Sequence, residues 1–217
     1  MAKTIVIGAS GKKQSGKDTL CDGLFEWLET KFGQGCVKIY SYADVLKEKV
    51  CIEVLGLTRE QCYGTDEQKN TLTQYKWSNF PEEVLRDNGK WDASENMTAR
   101  EIMQVAGTDV FRKMFSDTIW VDATFRSIEK DGFHFALISD VRFPSEVTKI
   151  EEEDGYIFRL LRNVCEGDVH ESENALDDFD WRSLKNGFVI DNEQMEIDEV
   201  TEHVANLLGF IRKGALA

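Results

Sequence analysis

The sequence predicts an α/β protein with a five-stranded parallel sheet covered by helices on both faces. Short apolar strands alternate with amphipathic helices along the 217 residues. The strands read as near-continuous apolar runs, as strands buried on both faces do. A glycine-rich turn joins the first strand to the first helix, at the sheet edge where such folds bind ligands.

Each element follows from its pattern. Thr4 to Ala9 is β-branched and apolar, a central strand. After the turn, Leu20, Leu24 and Leu28 recur at helical spacing up to Lys31, and Gly33 and Gly35 stop that helix. Val37 to Tyr40 is a second strand. Ser41-Tyr-Ala-Asp44 reads as a start signal for a helix with Leu46, Val50 and Val54 on one face. From Leu57 to Asn96 neither period is clean, and the stretch reads as an insertion. Thr98-Ala-Arg-Glu101 is a capping box, and Gly107 is expected to break that helix before Thr108 to Phe115 resumes it. Val121, Phe125 and Ile128 mark another helix, ended by Asp131-Gly132. Strands follow at His134 to Ser139, Tyr156 to Leu161 and Phe188 to Ile190. Ile197, Val200, Val204, Leu207, Leu208 and Ile211 carry a closing helix. A polar acidic excursion runs from Asn163 to Ser183.

Composition narrows the function classes. The length suits one domain with insertions. A hydrophobic fraction of 41 %, with five Trp and thirteen Phe, supplies a core. A mean hydropathy of −0.39 with no long apolar run excludes a spanning helix. With 26 basic against 40 acidic residues the net charge is −14. Such a surface repels a phosphate backbone unless a basic run offsets it; none exists, so no general nucleic-acid binding is expected. The N-terminus lacks a secretory apolar region, and a cytoplasmic location is expected. Five cysteines without a Cys-x-x-Cys pair read as reduced thiols.

The chemistry concentrates in three places. Gly11-Lys12-Lys13-Gln14-Ser15-Gly16-Lys17-Asp18-Thr19 matches the phosphate-binding pattern G-x-x-x-x-G-K and departs from it at Asp18, where Ser or Thr is usual. Glycines let backbone N–H groups converge on an anion, the helix N-terminus adds positive potential, and Lys17 bridges phosphate oxygens. Either Asp18 serves Mg²⁺, the preferred reading, or Thr19 supplies the oxygen. Second, Asp140 and Arg142 leave the carboxyl end of a strand, where an acid can order metal and an Arg can reach phosphate. Third, Arg159 and Arg162 end the strand before the excursion that holds His170-Glu-Ser-Glu173. Phosphoryl transfer needs cations over the moving group and exclusion of water, which a mobile Arg-bearing lid provides, and of the two Arg159 reads as the structural one.

Together these segments resemble the bacteriophage deoxynucleoside monophosphate kinases, which have the P-loop nucleoside monophosphate kinase fold. The resemblance rests on residues 11–19, Ser41-Tyr-Ala-Asp-Val-Leu-Lys47, Met103-Gln-Val-Ala-Gly-Thr-Asp-Val-Phe-Arg112 with Ile119-Trp-Val121, Asp140-Val-Arg-Phe-Pro144 and His170-Glu-Ser-Glu173. It implies a single kinase domain with a monophosphate-binding insert at about 41–115 and a lid at about 163–183. ATP and Mg²⁺ would be bound by residues 11–19. Lys13 and Lys17 would contact the phosphates in flight, with Asp140, Arg142 and Arg162 in the catalytic set. Asp44, Lys47, Gln104 and Arg112 would line the acceptor site with Asp140 and Arg142. The expected partners are ATP and a deoxynucleoside monophosphate, and a homodimer is implied by the family alone. Two alternatives remain at this point: a P-loop kinase for another small metabolite such as phosphomevalonate, or a nucleotide-binding switch without transfer. No guanine-reading Asn-Lys-x-Asp sequence is present.

Overall fold

A computed structural model of the chain describes residues 3–162 and 174–215, with side chains to residue 209. It divides into two compact units, one of residues 1–42 and 124–217, the other of residues 43–123.

The first unit holds five parallel strands in the order β2 (Val37–Tyr40), β5 (Phe135–Val141), β1 (Ile5–Ser10), β6 (Tyr156–Leu160), β7 (Gly187–Ile190). All five correspond to the apolar runs of the sequence. Alternation along β1 decides what each face meets. Ile7 and Ala9 pack with Leu20, Leu24 and Leu28 of α1 (Lys17–Phe32) and with Val200 and Val204 of the closing helix α8 (Ile197–Ala215). Burying each of those leucines contributes roughly 2 kcal/mol. On the opposite face Gly8 leaves room for Ile150 of α7 (Pro144–Glu152), whose Cδ1 would lie 2.7 Å from a Cβ there. Helices therefore cover both faces. In α8, Ile197 is exposed, and the Ile211 side chain lies outside the described residues.

The second unit contains two π-helical segments, π1 (Leu46–Val54) and π2 (Val105–Arg112), with i→i+5 bonds such as Leu55 N–H to Val50 O. Short helices α2 (Arg59–Tyr63), α3 (Asp66–Lys69) and α4 (Glu82–Asp87) accompany a hairpin of β3 (Leu72–Lys76) and β4 (Asn96–Thr98). Helix α5 (Ala99–Gln104) opens on the expected Thr98–Glu101 capping box and runs directly into π2. Helix α6 (Ile119–Asp131) carries the boundary between the units and stops at Gly132, whose φ is 68°.

Several expectations are corrected here. The wider π turn puts Leu46 and Cys51, five apart, on the buried face, and leaves Val54 75 % exposed. Leu46, Val50 and Val54 therefore do not form one stripe. The Ser41 hydroxyl also donates to Asp140 (2.6 Å). Gly107 breaks nothing: it lies within π2, where a Cβ would come 2.7 Å from Leu46 Cδ2. The β3–β4 hairpin was illegible because its residues are mostly half-exposed or exposed, with only Met97 fully buried. Cys21, Cys36, Cys51 and Cys62 are free, buried thiols; Cys165 lies outside the described residues.

Candidate active site

The turn after β1 is built for close backbone approach. Gln14 (φ 61°) and Gly16 (φ 98°) both have positive φ, two residues apart, and the Ser15 N–H donates to Lys12 O (3.1 Å). At Gly11 a Cβ would stand 2.3 Å from Ser15 Oγ and 3.0 Å from Leu160 O, so no other residue fits. Such alternating turns gather N–H groups into an anion-binding concavity, and the N-terminus of the 16-residue α1 adds its dipole. The Ser15 hydroxyl is buried there, with no hydrogen-bond partner among the described residues.

Lys17 is the centre of this arrangement. It is only 6 % exposed, and its Nζ donates to Lys12 O (2.7 Å). Burial lowers its pKa to about 8; the charge of Arg142, and more weakly that of Arg159, pushes the same way, while Asp18 and Asp140 oppose. Four further charged side chains thus share the field around one amine. Asp18 is exposed on the first turn of α1, Thr19 beside it is half-buried, and Lys13 is half-buried in the loop.

Asp140 is held by the Ser41 hydroxyl (2.6 Å) and the Tyr42 N–H (2.7 Å), which fixes it at the carboxyl edge of β5. Arg159, on β6, donates to Ser10 Oγ (3.1 Å) and reaches Asp177 (3.5 Å); its burial lowers its pKa, and Asp177 opposes that. Asp177 also pairs with Lys12 of the loop (2.8 Å). Arg162 lines a small cavity with Gly16 and Thr19. Its guanidinium donates to Asn192 O (3.0 and 2.8 Å) and to Met195 O, and its N–H to Asn192 Oδ1 (2.9 Å). Asn192 in turn donates to Ser15 O (2.9 Å). Of the two arginines, therefore, Arg159 shares the Lys17 field and Arg162 braces the segment after β7. His170 and its neighbours lie outside the described residues.

In the second unit Asp44 accepts from the Tyr63 hydroxyl (3.3 Å), and Lys47 Nζ stands 4.7 Å from the Tyr63 ring centroid. Burial, reinforced by Asp44, raises the Tyr63 pKa. Gln104 and Arg112 bracket π2; Arg112 is buried and donates to Asp117 O (2.9 Å). Tyr63, Asp177 and Asn192 were missed from sequence. Asn192 had a usable signal, since it follows the carboxyl end of β7, where ligand sites of such sheets gather.

The family described as deoxynucleotide monophosphate kinase matches residues 36–203, most of the chain. A protein of Acanthamoeba polyphaga mimivirus, provisionally named a deoxynucleotide monophosphate kinase, is 31 % identical over 213 residues, covering 90 % of this chain and 91 % of its own. The deoxynucleoside-5'-monophosphate kinase of Escherichia phage T5 is 27 % identical over 184 residues, 69 % of this chain and 72 % of the relative. With a glycine turn on the central strand of a parallel sheet and a family match over most of its length, the chain belongs to the deoxynucleotide monophosphate kinase family.

Proposed function

We propose that the protein transfers the γ-phosphoryl group of ATP to the 5′-phosphate of a deoxynucleoside monophosphate, giving ADP and the diphosphate. The observation that carries this reading is the buried Lys17 in a glycine turn, with Arg142 and Arg159 in its field. The acceptor oxygen is already anionic, so no strong base is needed, and rate comes from positioning and charge neutralisation. Residues 11–19 cradle the ATP phosphates; Lys17 exchanges the Lys12 carbonyl for phosphate oxygens, and Lys13 and Arg142 neutralise the group in flight. In the second unit Arg112 clamps the acceptor phosphate, with Asp44, Lys47 and Gln104 beside it. Arg162 supports the reaction by bracing Asn192 against the loop.

The residues suit Mg²⁺. Asp18 and Thr19 offer hard oxygens on an accessible first turn, and Asp140 offers a third. No cluster of three or more acidic, His or Cys ligands able to hold a metal occurs among the described residues. A partial oxygen shell completed by water and phosphates is what Mg²⁺ takes. When bound, the ion would neutralise charge on the β- and γ-phosphates.

The test is ADP formation, measured by a coupled assay over ribo- and deoxynucleoside monophosphates. Turnover on deoxynucleotides is expected, and Lys17→Ala should lower it on the order of 10² to 10³. Silence across the whole panel would refute the acceptor; a fully active Lys17→Ala enzyme would refute the site.

A further inference from the structure

Hydrogen bonds within the first unit pin the seven residues from Asp140 to Glu146 from both sides. Ser10 Oγ donates to Val141 O (2.9 Å), and the Tyr42 hydroxyl donates to Glu146 O (3.5 Å). The strongest hold is Glu146 itself. Its side chain is 1 % exposed, and one carboxylate oxygen, Oε2, accepts the N–H of Arg142 (2.6 Å) and that of Phe143 (3.0 Å). At the third position of α7, behind Pro144, a glutamate is an ordinary capping residue, and such residues are mostly solvated. This one is buried to the same degree as the core leucines. A carboxylate in that setting is retained at a cost in desolvation, which the two charge-assisted N–H bonds offset. Those bonds fix the backbone of Arg142 two residues beyond Asp140, and so the point from which its side chain departs.

We infer that Glu146 is a positioning residue: by gripping the Arg142 and Phe143 amides it aims Arg142 at the transferred phosphoryl group. The inference rests on the proposed role of Arg142. Reach, rather than charge, is what the geometry demands. Glutamine keeps the length and an accepting oxygen; aspartate keeps the charge but draws the oxygen back by one methylene. Reactions that depend on orientation lose up to about 100-fold for a displacement near 1 Å.

Glu146→Gln, Glu146→Asp and Arg142→Ala, with the Glu146→Asp/Arg142→Ala double variant, separate the outcomes, each checked for folding by thermal unfolding. Glu146→Asp should lower kcat about 30-fold and Glu146→Gln only about threefold, with KM for ATP within about threefold in both. In the Arg142→Ala background Glu146→Asp should add less than about twofold, because the group it aims is gone. Glu146→Gln worse than Glu146→Asp, or losses that multiply in the double variant, would overturn the inference and leave Arg142 as proposed. If Arg142→Ala alone retains kcat, the role of Arg142 falls, and this inference falls with it.

Discussion

A lysine kept out of water beside two arginines holds its proton weakly, and Lys17 does so because burial outweighs Asp18 and Asp140. Its folded pKa of about 8 lies below the unfolded value of 10.5. The free enzyme therefore loses the Lys17 charge as pH rises past 8, and kcat/KM for ATP should fall about tenfold per unit above that point. Bound phosphates favour the charged amine, so kcat should hold to higher pH. The stability sign is opposite: between pH 8 and 10.5 the unfolded chain binds more protons, and the contribution of Lys17 to stability rises with pH. A kcat/KM profile flat to pH 10 would contradict this account. At Asp177 the chain supplies its own anion to Lys12 and Arg159. Removing a half-exposed pair of this kind is worth about 0.2–1 kcal/mol. Asp177→Asn should accordingly lower KM for ATP by about two- to fivefold at low salt, an advantage that added salt should shrink. An unchanged KM would show that the phosphates do not compete for these cations.

Helices α1 and α8 meet at Gly23, where a Cβ would lie 2.5 Å from Thr201 Oγ1 and 2.9 Å from its Cγ2. Gly23→Ala should destabilise the first unit by about 1–3 kcal/mol through overpacking, each kcal/mol lowering Tm by about 2–4 °C. Thr201→Ala in the same chain should recover most of the loss. If it does not, the contact is not the cause. The framework elements were legible at this scale because each strand is buried on both faces and α1 keeps a strict i, i+4 stripe. The second unit was less so. A π turn moves the buried partner of Leu46 from Val50 to Cys51, and a pattern read at 3.6 residues per turn cannot see that shift. Polar residues at helix starts carry more than one contact: Thr98 caps its own helix, and the Ser41 hydroxyl donates to Asp140, 99 positions away.

The molecule as a whole carries a net charge of −14. Neutralising a duplex needs an extended positive surface, whereas Lys3, Lys38, Lys149 and Lys185 of the first unit are each paired with a carboxylate. No shift of duplex DNA is expected in a gel assay at 150 mM salt, while ATP should protect the protein against thermal unfolding by mass action. Stable DNA binding would show that the acidic balance hides a second surface. No helix among the described residues is long and apolar enough to cross a membrane.

Local chemistry alone determined the parallel sheet, the glycine turn at its central strand and the family resemblance, since each depends on residues adjacent in the chain. Tertiary structure decided which charges meet. Arg159 rather than Arg162 shares the field of Lys17, Asp177 closes on Lys12, and Glu146 is buried under Arg142. Those pairings join segments up to 165 residues apart. Charge interaction depends on distance and burial, and neither is written in the order of residues.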